Sequence, residues 1–224
     1  MERAGCGLIE TMRVREGRIP LLDRHLVRLM HSLEALGLPR PSQDVAALVA
    51  PFAGCGEAVL RVEVERGRAS LTVRDLPRLA PPTVITAAVA HCAYPHKTVE
   101  RPCFEAAGKE AAAAGADDAL LLTVDGWVAE GTVWSLFWWG VGDSLHTPGL
   151  ELGILPGIGR GRVLEVLPGA ERGTGRHSRV ALAGKSLFLT NAVRGVIPIA
   201  ALDGQPVPSD PRTEELIARF WAVA

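Results

Sequence analysis

Lysine is nearly missing from this chain. Of 24 basic residues only Lys97, Lys109 and Lys185 are lysines, and arginine carries the rest of the positive charge. An excess of either sign is missing too: the formal net charge of -1 removes the electrostatic basis for a nucleic-acid partner. No run approaches the ~20 consecutive apolar residues of a membrane span. The opening "MERAGCGLIETMRV" sets charges and glycines where a secretory signal needs an apolar stretch. The four cysteines, Cys6, Cys55, Cys92 and Cys103, form no CxxC pair and have no histidine at zinc-site spacing, which argues against a metal site and against a disulfide framework. These absences lead to the expectation of a cytoplasmic protein with free thiols and with neither nucleic-acid nor membrane partners.

What is present suffices for a sizeable core, since 48% of the 224 residues are hydrophobic. "GLIETMRVREGRIPLL" alternates short strand-like runs around "REGR" and predicts a hairpin. In "DRHLVRLMHSLEALGLP" the residues Leu26, Leu29, Met30, Leu33 and Leu36 recur at helical steps; Asp23 is placed to cap the start, and Gly37 with Pro39 ends the pattern. "DVAALVAPFAG" predicts a second helix, and "EAVLRVEVERG" with "RASLTVRDL" a second hairpin. The proline-marked "PRLAPPTVITAAVAHCAYPHK" predicts a boundary near residue 82. Beyond it an alanine-rich helix in "CFEAAGKEAAAAGA" precedes strands in "DALLLTVDGWVAEGTVWSLFWW" and "SLFLTNAVRGVIPIAALDG", and "RTEELIARFWAVA" predicts a terminal helix. The expected architecture is α+β with two domains: a small N-terminal α+β domain over 1–82, a linker over 83–95 and a larger strand-rich domain over 96–224.

Scarcity makes the position of each lysine informative. A lysine whose environment lowers its pKa is a nucleophilic amine, used most often to bond a carbonyl compound or pyridoxal phosphate covalently. Lys97, inside "YPHKTVER", is the best-placed candidate, while Lys109 lies mid-helix and Lys185 beside a turn glycine. Spacing alone also fits a solvated loop lysine. The order of further motifs, "IETMRVREGRIPLLDRHLVRLMHSLEALGL", "VDGWVAEGTVWSLF", "LELGILPGIGRGRVLEV" and "FLTNAVRGVIPIAALDG", resembles the fold-type IV (class IV) pyridoxal-phosphate enzymes, which include branched-chain and D-amino-acid aminotransferases and aminodeoxychorismate lyase. The resemblance covers nearly the whole chain.

The resemblance implies pyridoxal 5'-phosphate as cofactor, bound between the two domains, a small-molecule amino substrate and a homodimer. Lys97 stands where the family lysine attaches the cofactor and moves the proton at the reacting carbon. Glu130 matches the carboxylate that faces the pyridine nitrogen. Arg28 matches the arginine that pairs with the cofactor phosphate, for which a guanidinium fork is suited. Ile158 and Gly159 would offer backbone amides to the phosphate at a helix N-terminus; Thr190, Asn191 and Ala192 would line the phosphate and substrate side, although Thr-Asn by itself reads as a turn. Ser135 falls in the cofactor set through "WSLF". His96 is a neighbour of Lys97, His25 reads as a packing or capping residue, and Trp127, Trp134, Trp138 and Trp139 read as core or interface packing.

Three departures from the family pattern carry expectations. The pattern has a further strand and an "RG…YGDG" segment ahead of "GLIETMRV", so a trimmed small domain or a late start is expected here. Trp134 and Ser135 stand where the family usually has Ser-Asn, and Gly159 where it commonly has Thr; the latter is expected to weaken phosphate binding by roughly 1 kcal/mol for the missing hydroxyl. The implied activity is that of aminodeoxychorismate lyase, releasing pyruvate and 4-aminobenzoate, on "GWVAE" and "LTNAVRGV". A branched-chain or D-amino-acid aminotransferase is the alternative, and a catalytically silent paralogue the second.

Overall fold

The computed structural model describes residues 7–76, 78, 80–167 and 172–222. The chain forms two units, Met1–Arg78 with His96–Glu100, and Leu79–Pro95 with Arg101–Val223. Among the described residues no helix is long and apolar enough to cross a membrane.

In the first unit, β1 (Leu8–Val14) leads into α1 (Leu22–Leu36), α2 (Val45–Val49), β2 (Ala58–Glu65) and β3 (Arg68–Arg74). The predicted α1 forms and ends as read: Gly37 adopts φ 64° and its N–H closes on Leu33 and Glu34 carbonyls, a left-handed C-cap. Its start differs. Leu21 is the cap residue, at φ 63°, and Asp23 lies inside the first turn, where its charge meets the helix dipole instead of capping. Asp44 caps α2, accepting from the Ala46 N–H at 2.9 Å. The second predicted hairpin forms as β2–β3, joined by Arg66 and Gly67 at φ 49° and 71°, the left-handed pair that a two-residue hairpin loop requires. The first does not. "REGR" makes the turn, with Arg15 and Arg18 exchanging backbone bonds of 2.8 and 2.9 Å, but Pro20 and the start of α1 leave too few residues for a return strand. β1 pairs antiparallel with β2 instead, Leu8 opposite Val64 through Val14 opposite Ala58. Leu8, Met12 and Val14 then face Leu29 and Leu33 of α1 in one core with Leu60, Val62 and Val64.

The second unit runs β4 (Thr83–Thr86), α3 (Pro102–Ala113), β5 (Asp118–Leu122), β6 (Val128–Gly131), β7 (Ser135–Trp139), β8 (Leu145–Pro148), α4 (Ile158–Val166), β9 (Arg172–Gly175), β10 (Leu187–Asn191), β11 (Gly195–Pro198), β12 (Ala201–Leu202), β13 (Gln205–Pro206) and α5 (Pro211–Phe220). Two five-stranded sheets result, in the orders β11-β10-β7-β8-β9 and β13-β12-β4-β5-β6. β5 (DALLL) and β7 (SLFWW) read as nearly continuous apolar runs because both of their faces are buried. Leu120 of β5 joins Leu136 and Trp138 of β7 and Leu187 and Leu189 of β10 in a core shared by the sheets, while Ala119 and Leu121 turn to Phe104, Ala107 and Ala111 of α3. Trp134 is part of the inter-sheet core, and Phe137 stacks on Phe188 at 5.3 Å on the opposite face of β7.

The segment expected as a linker, 83–95, contains β4, which pairs parallel with β5. His96–Glu100 goes with the first unit because it adds to the β1 edge: Ile9 N–H donates to the Lys97 carbonyl at 2.8 Å, and Val99 N–H to the Gly7 carbonyl at 2.8 Å.

The expectation of free thiols is overturned for one pair. The start of α3 brings Cys103 beside the loop that carries Cys92, and the two form a disulfide with Cα atoms 6.3 Å apart, inside the span a disulfide bridges. Cys55 is free and exposed; Cys6 lies outside the described residues. A cross-link over an 11-residue separation removes on the order of 3 kcal/mol of unfolded-chain entropy. Reduction of the protein, or Cys103→Ser, should therefore lower the unfolding free energy by about 2–3 kcal/mol in urea denaturation, and reductant should have no further effect on the variant.

Candidate active site

Glu10 lies on the core-facing side of β1 between Leu8 and Met12 and is 3% exposed. A carboxylate placed there requires partners. α1 supplies two, three residues apart on one face: His25 Nδ1 is 2.6 Å from Glu10 Oε2, and Arg28 donates from Nε to Oε1 at 2.8 Å and from Nη2 to Oε2 at 2.6 Å. Burial pushes the Glu10 pKa up, but the Arg28 charge and the His25 and Arg28 hydrogen bonds outweigh it and hold Glu10 at about 2. Burial drives His25 the other way, below its ordinary value, with the Arg28 and Lys97 charges acting in the same direction. His25 is accordingly a neutral imidazole donating Nδ1–H to a charged Glu10. Its Nε2 is buried with no hydrogen-bond partner among the described residues.

Lys97 thus shares an electrostatic neighbourhood with His25 and Arg28 in the first unit. His96 beside it sits 3.1 Å from Ser32 Oγ through Nδ1, its ring 6.1 Å from that of His31; burial, then the His31 charge, pushes the His96 pKa down.

In the second unit Glu130 is the buried acid of β6. Its Oε1 lies 2.9 Å from His91 Nε2 and accepts the Leu155 N–H at 3.0 Å. Ser135 and Thr190 face each other across β7 and β10, both buried, and the N-terminus of α4 lies over them. A Cβ on Gly157 would stand 2.7 Å from Ser135 Oγ; one on Gly159 would stand 2.7 Å from Asn191 Cα and C and 2.8 Å from Thr190 Oγ1. Gly159 is therefore the only residue type that this approach admits, and the expectation that it merely deletes a threonine hydroxyl is corrected: a threonine would displace β10. Gly157 gives α4 no side-chain cap among the described residues, which leaves first-turn amides without intrahelical partners.

Thr190 Oγ1 is buried with no hydrogen-bond partner among the described residues. An orphaned hydroxyl, an uncapped helix N-terminus and two positions where a side chain would close the space fit an anion such as a phosphate. Ile158 is the first residue of α4 and is buried, as is Ala192 after β10. The Asn191 side chain is engaged by protein: its Oδ1 accepts the N–H groups of Val193 at 3.0 Å and Arg194 at 2.8 Å, the side-chain turn that the bare dipeptide suggests, and its Nδ2 donates to the Val133 carbonyl at 3.4 Å.

Sequence reading missed Glu10, His91, Gly157 and the Leu155 amide. Glu10 had a signal, an acid at an apolar-phase position of a strand facing a helix with basic residues three apart. His91 had none, since its partner lies 39 residues away.

Residues 7–202 match the amino-transferase class IV family, and the chain belongs to that family, whose enzymes depend on pyridoxal phosphate. A stretch of 89 residues is 36% identical to the aminodeoxychorismate lyase of Bacillus subtilis, spanning 38% of this chain and only 30% of that relative. The fold matches a fold IV-transaminase from Curtobacterium pusillum (TM-score 0.81, 27% identity, 96% of this chain and 83% of that one). It also matches an aminotransferase from Brucella abortus bound to pyridoxal phosphate (TM-score 0.84, 25% identity, 96% and 88%).

The depressed Glu10 pKa makes stability acid-sensitive. Because the folded value lies below the ordinary 4.5, its contribution is complete above about pH 4.5 and is lost as pH falls toward 2, a loss of about 3 kcal/mol. Denaturation midpoints between pH 6 and pH 2 should show this limb in the wild type, and Glu10→Gln should be less stable at pH 6 and fall less steeply toward pH 2. The remaining slope comes from Asp203 and Asp210, whose pKa values are also lowered: at Asp203 burial is outweighed by hydrogen bonds from Thr86 and Arg179, and at Asp210 the Arg212 hydrogen bond prevails over burial.

Proposed function

We propose that this chain is a pyridoxal-phosphate-dependent aminodeoxychorismate lyase, releasing pyruvate and 4-aminobenzoate. The observation that carries the cofactor reading is the buried, unpartnered Thr190 hydroxyl under the uncapped start of α4. Identity to the Bacillus subtilis lyase supports this branch. The structural likeness to transaminases keeps a branched-chain or D-amino-acid aminotransferase as the second reading. A homodimer, implied by the family resemblance, belongs to the same proposal.

The residues divide the work. Within the second unit Thr190, Ser135 and the Ile158 and Gly159 amides would hold the phosphate, and the family resemblance gives Arg28, which Glu10 orients in the first unit, the role of a phosphate-pairing cation. Ala192 and Asn191 shape the adjoining wall. By the family resemblance Lys97 would hold the cofactor through Nζ and would move the proton at the substrate's reacting carbon. Glu130 would keep a proton on the ring nitrogen, and the cofactor, when bound, would supply the electron sink for the reaction.

Two measurements test this reading. With pyridoxal phosphate and aminodeoxychorismate, the protein should release pyruvate and 4-aminobenzoate in equal amounts; rapid conversion of the bound cofactor to its amine form by branched-chain or D-amino acids would assign the aminotransferase instead. Thr190→Val should keep or raise the folding stability of the unloaded protein, by up to about 1–3 kcal/mol, since the buried hydroxyl has no partner to lose, yet weaken pyridoxal-phosphate binding about tenfold in calorimetric titration.

A further inference from the structure

We propose that His91 is a positioning residue for Glu130: its imidazole and the Leu155 amide together fix the plane of the carboxylate. The inference rests on the reading that Glu130 serves the cofactor's ring nitrogen. A carboxylate held by one hydrogen bond swings about its terminal torsion, which is broad. Glu130 Oε1 meets two nitrogens from separate segments, His91 Nε2 at 2.9 Å and Leu155 N at 3.0 Å, and both residues of the His–Glu pair are buried.

The His91 ring is itself held on several sides. The backbone N–H of His91 donates to the Leu122 carbonyl at 2.7 Å, and the ring meets Phe104 edge-on at 5.6 Å and 86°. The covalent frame repeats this contact, because the residue after His91 is Cys92 and the residue before Phe104 is Cys103, the two halves of the disulfide. Tyr94 packs on the same Phe104 ring at 4.8 Å, and its N–H donates to the Gly153 carbonyl at 2.7 Å, two residues before Leu155. The loop that places the imidazole is thus tied to the turn that places the amide. A histidine needed only to satisfy a buried acid would not require both donors to be set by one cross-linked loop; a carboxylate that must present one orientation does.

The test uses the full chain loaded with pyridoxal phosphate, with variants His91→Leu, His91→Gln, Glu130→Ala and the pair His91→Leu/Glu130→Ala. Absorption of the bound cofactor is read first, then pyruvate release from aminodeoxychorismate. His91→Leu should move the absorption maximum in the same direction as Glu130→Ala and lower kcat on the order of 10- to 100-fold with little change in KM. His91→Gln, which keeps a side-chain N–H donor, should restore most of both. In the Glu130→Ala background, His91→Leu should change neither, because it acts through the missing carboxylate.

A wild-type cofactor spectrum in His91→Leu, with the loss confined to thermal stability, overturns the inference alone. An unchanged spectrum in Glu130→Ala overturns the reading of Glu130 and the inference with it. One measurement needs no variant to fold: in 15N-histidine wild-type protein, adding pyridoxal phosphate should shift the His91 Nε2 resonance as Glu130 engages the cofactor, and an unmoved resonance overturns the proposal.

Discussion

The second unit depends on a contact that side chains would forbid. The start of α4 rests on the ends of β7 and β10 because Gly157 and Gly159 carry no Cβ, and a Cβ at either position would stand within 2.8 Å of Ser135 Oγ, Thr190 Oγ1 or the Asn191 backbone. The same closeness leaves polar groups short of partners. Thr190 Oγ1 is buried and unpaired among the described residues, a condition that costs roughly 1–3 kcal/mol and that native structures seldom keep without reason. A buried hydroxyl beneath a helix start without a side-chain cap is chemistry that suits an anion.

Both units build their candidate chemistry on a buried carboxylate oriented by an imidazole and a second donor. Glu10 has His25 with the Arg28 fork; Glu130 has His91 with the Leu155 amide. The second donors differ, and so does the outcome. A guanidinium charge offsets burial and holds Glu10 ionised far into acid, which makes it an anchor that aims Arg28. An amide brings direction and no net charge, which suits a carboxylate whose orientation is the quantity to be controlled.

Local signals in the chain were read well where the energetics are local. The helical spacing of Leu26, Leu29, Leu33 and Leu36 and the glycine at 37 are decided within a few residues of one another, as is the two-residue turn at Arg66-Gly67. The first hairpin shows the limit. Its turn formed, yet β1 took β2 as partner, because a strand's hydrogen-bonding edge carries no address and Pro20 with α1 removed the nearer candidate. The disulfide was invisible for a related reason: two cysteines outside any recognisable spacing pair only once α3 places one beside the other.

The sequence by itself determined the family, the placing of Lys97, Glu130 and Arg28 in ordered motifs, the α+β mixture and the core faces of the long elements, since residue identity and periodicity act over short stretches of chain. Only the tertiary structure decided that Lys97 sits on the β1 edge, that Gly159 is required by the approach of α4 to β10, and that Glu130 is held by His91. Each of these is a contact between residues far apart in sequence, where a side chain's role is set by what folding brings within 3 Å of it.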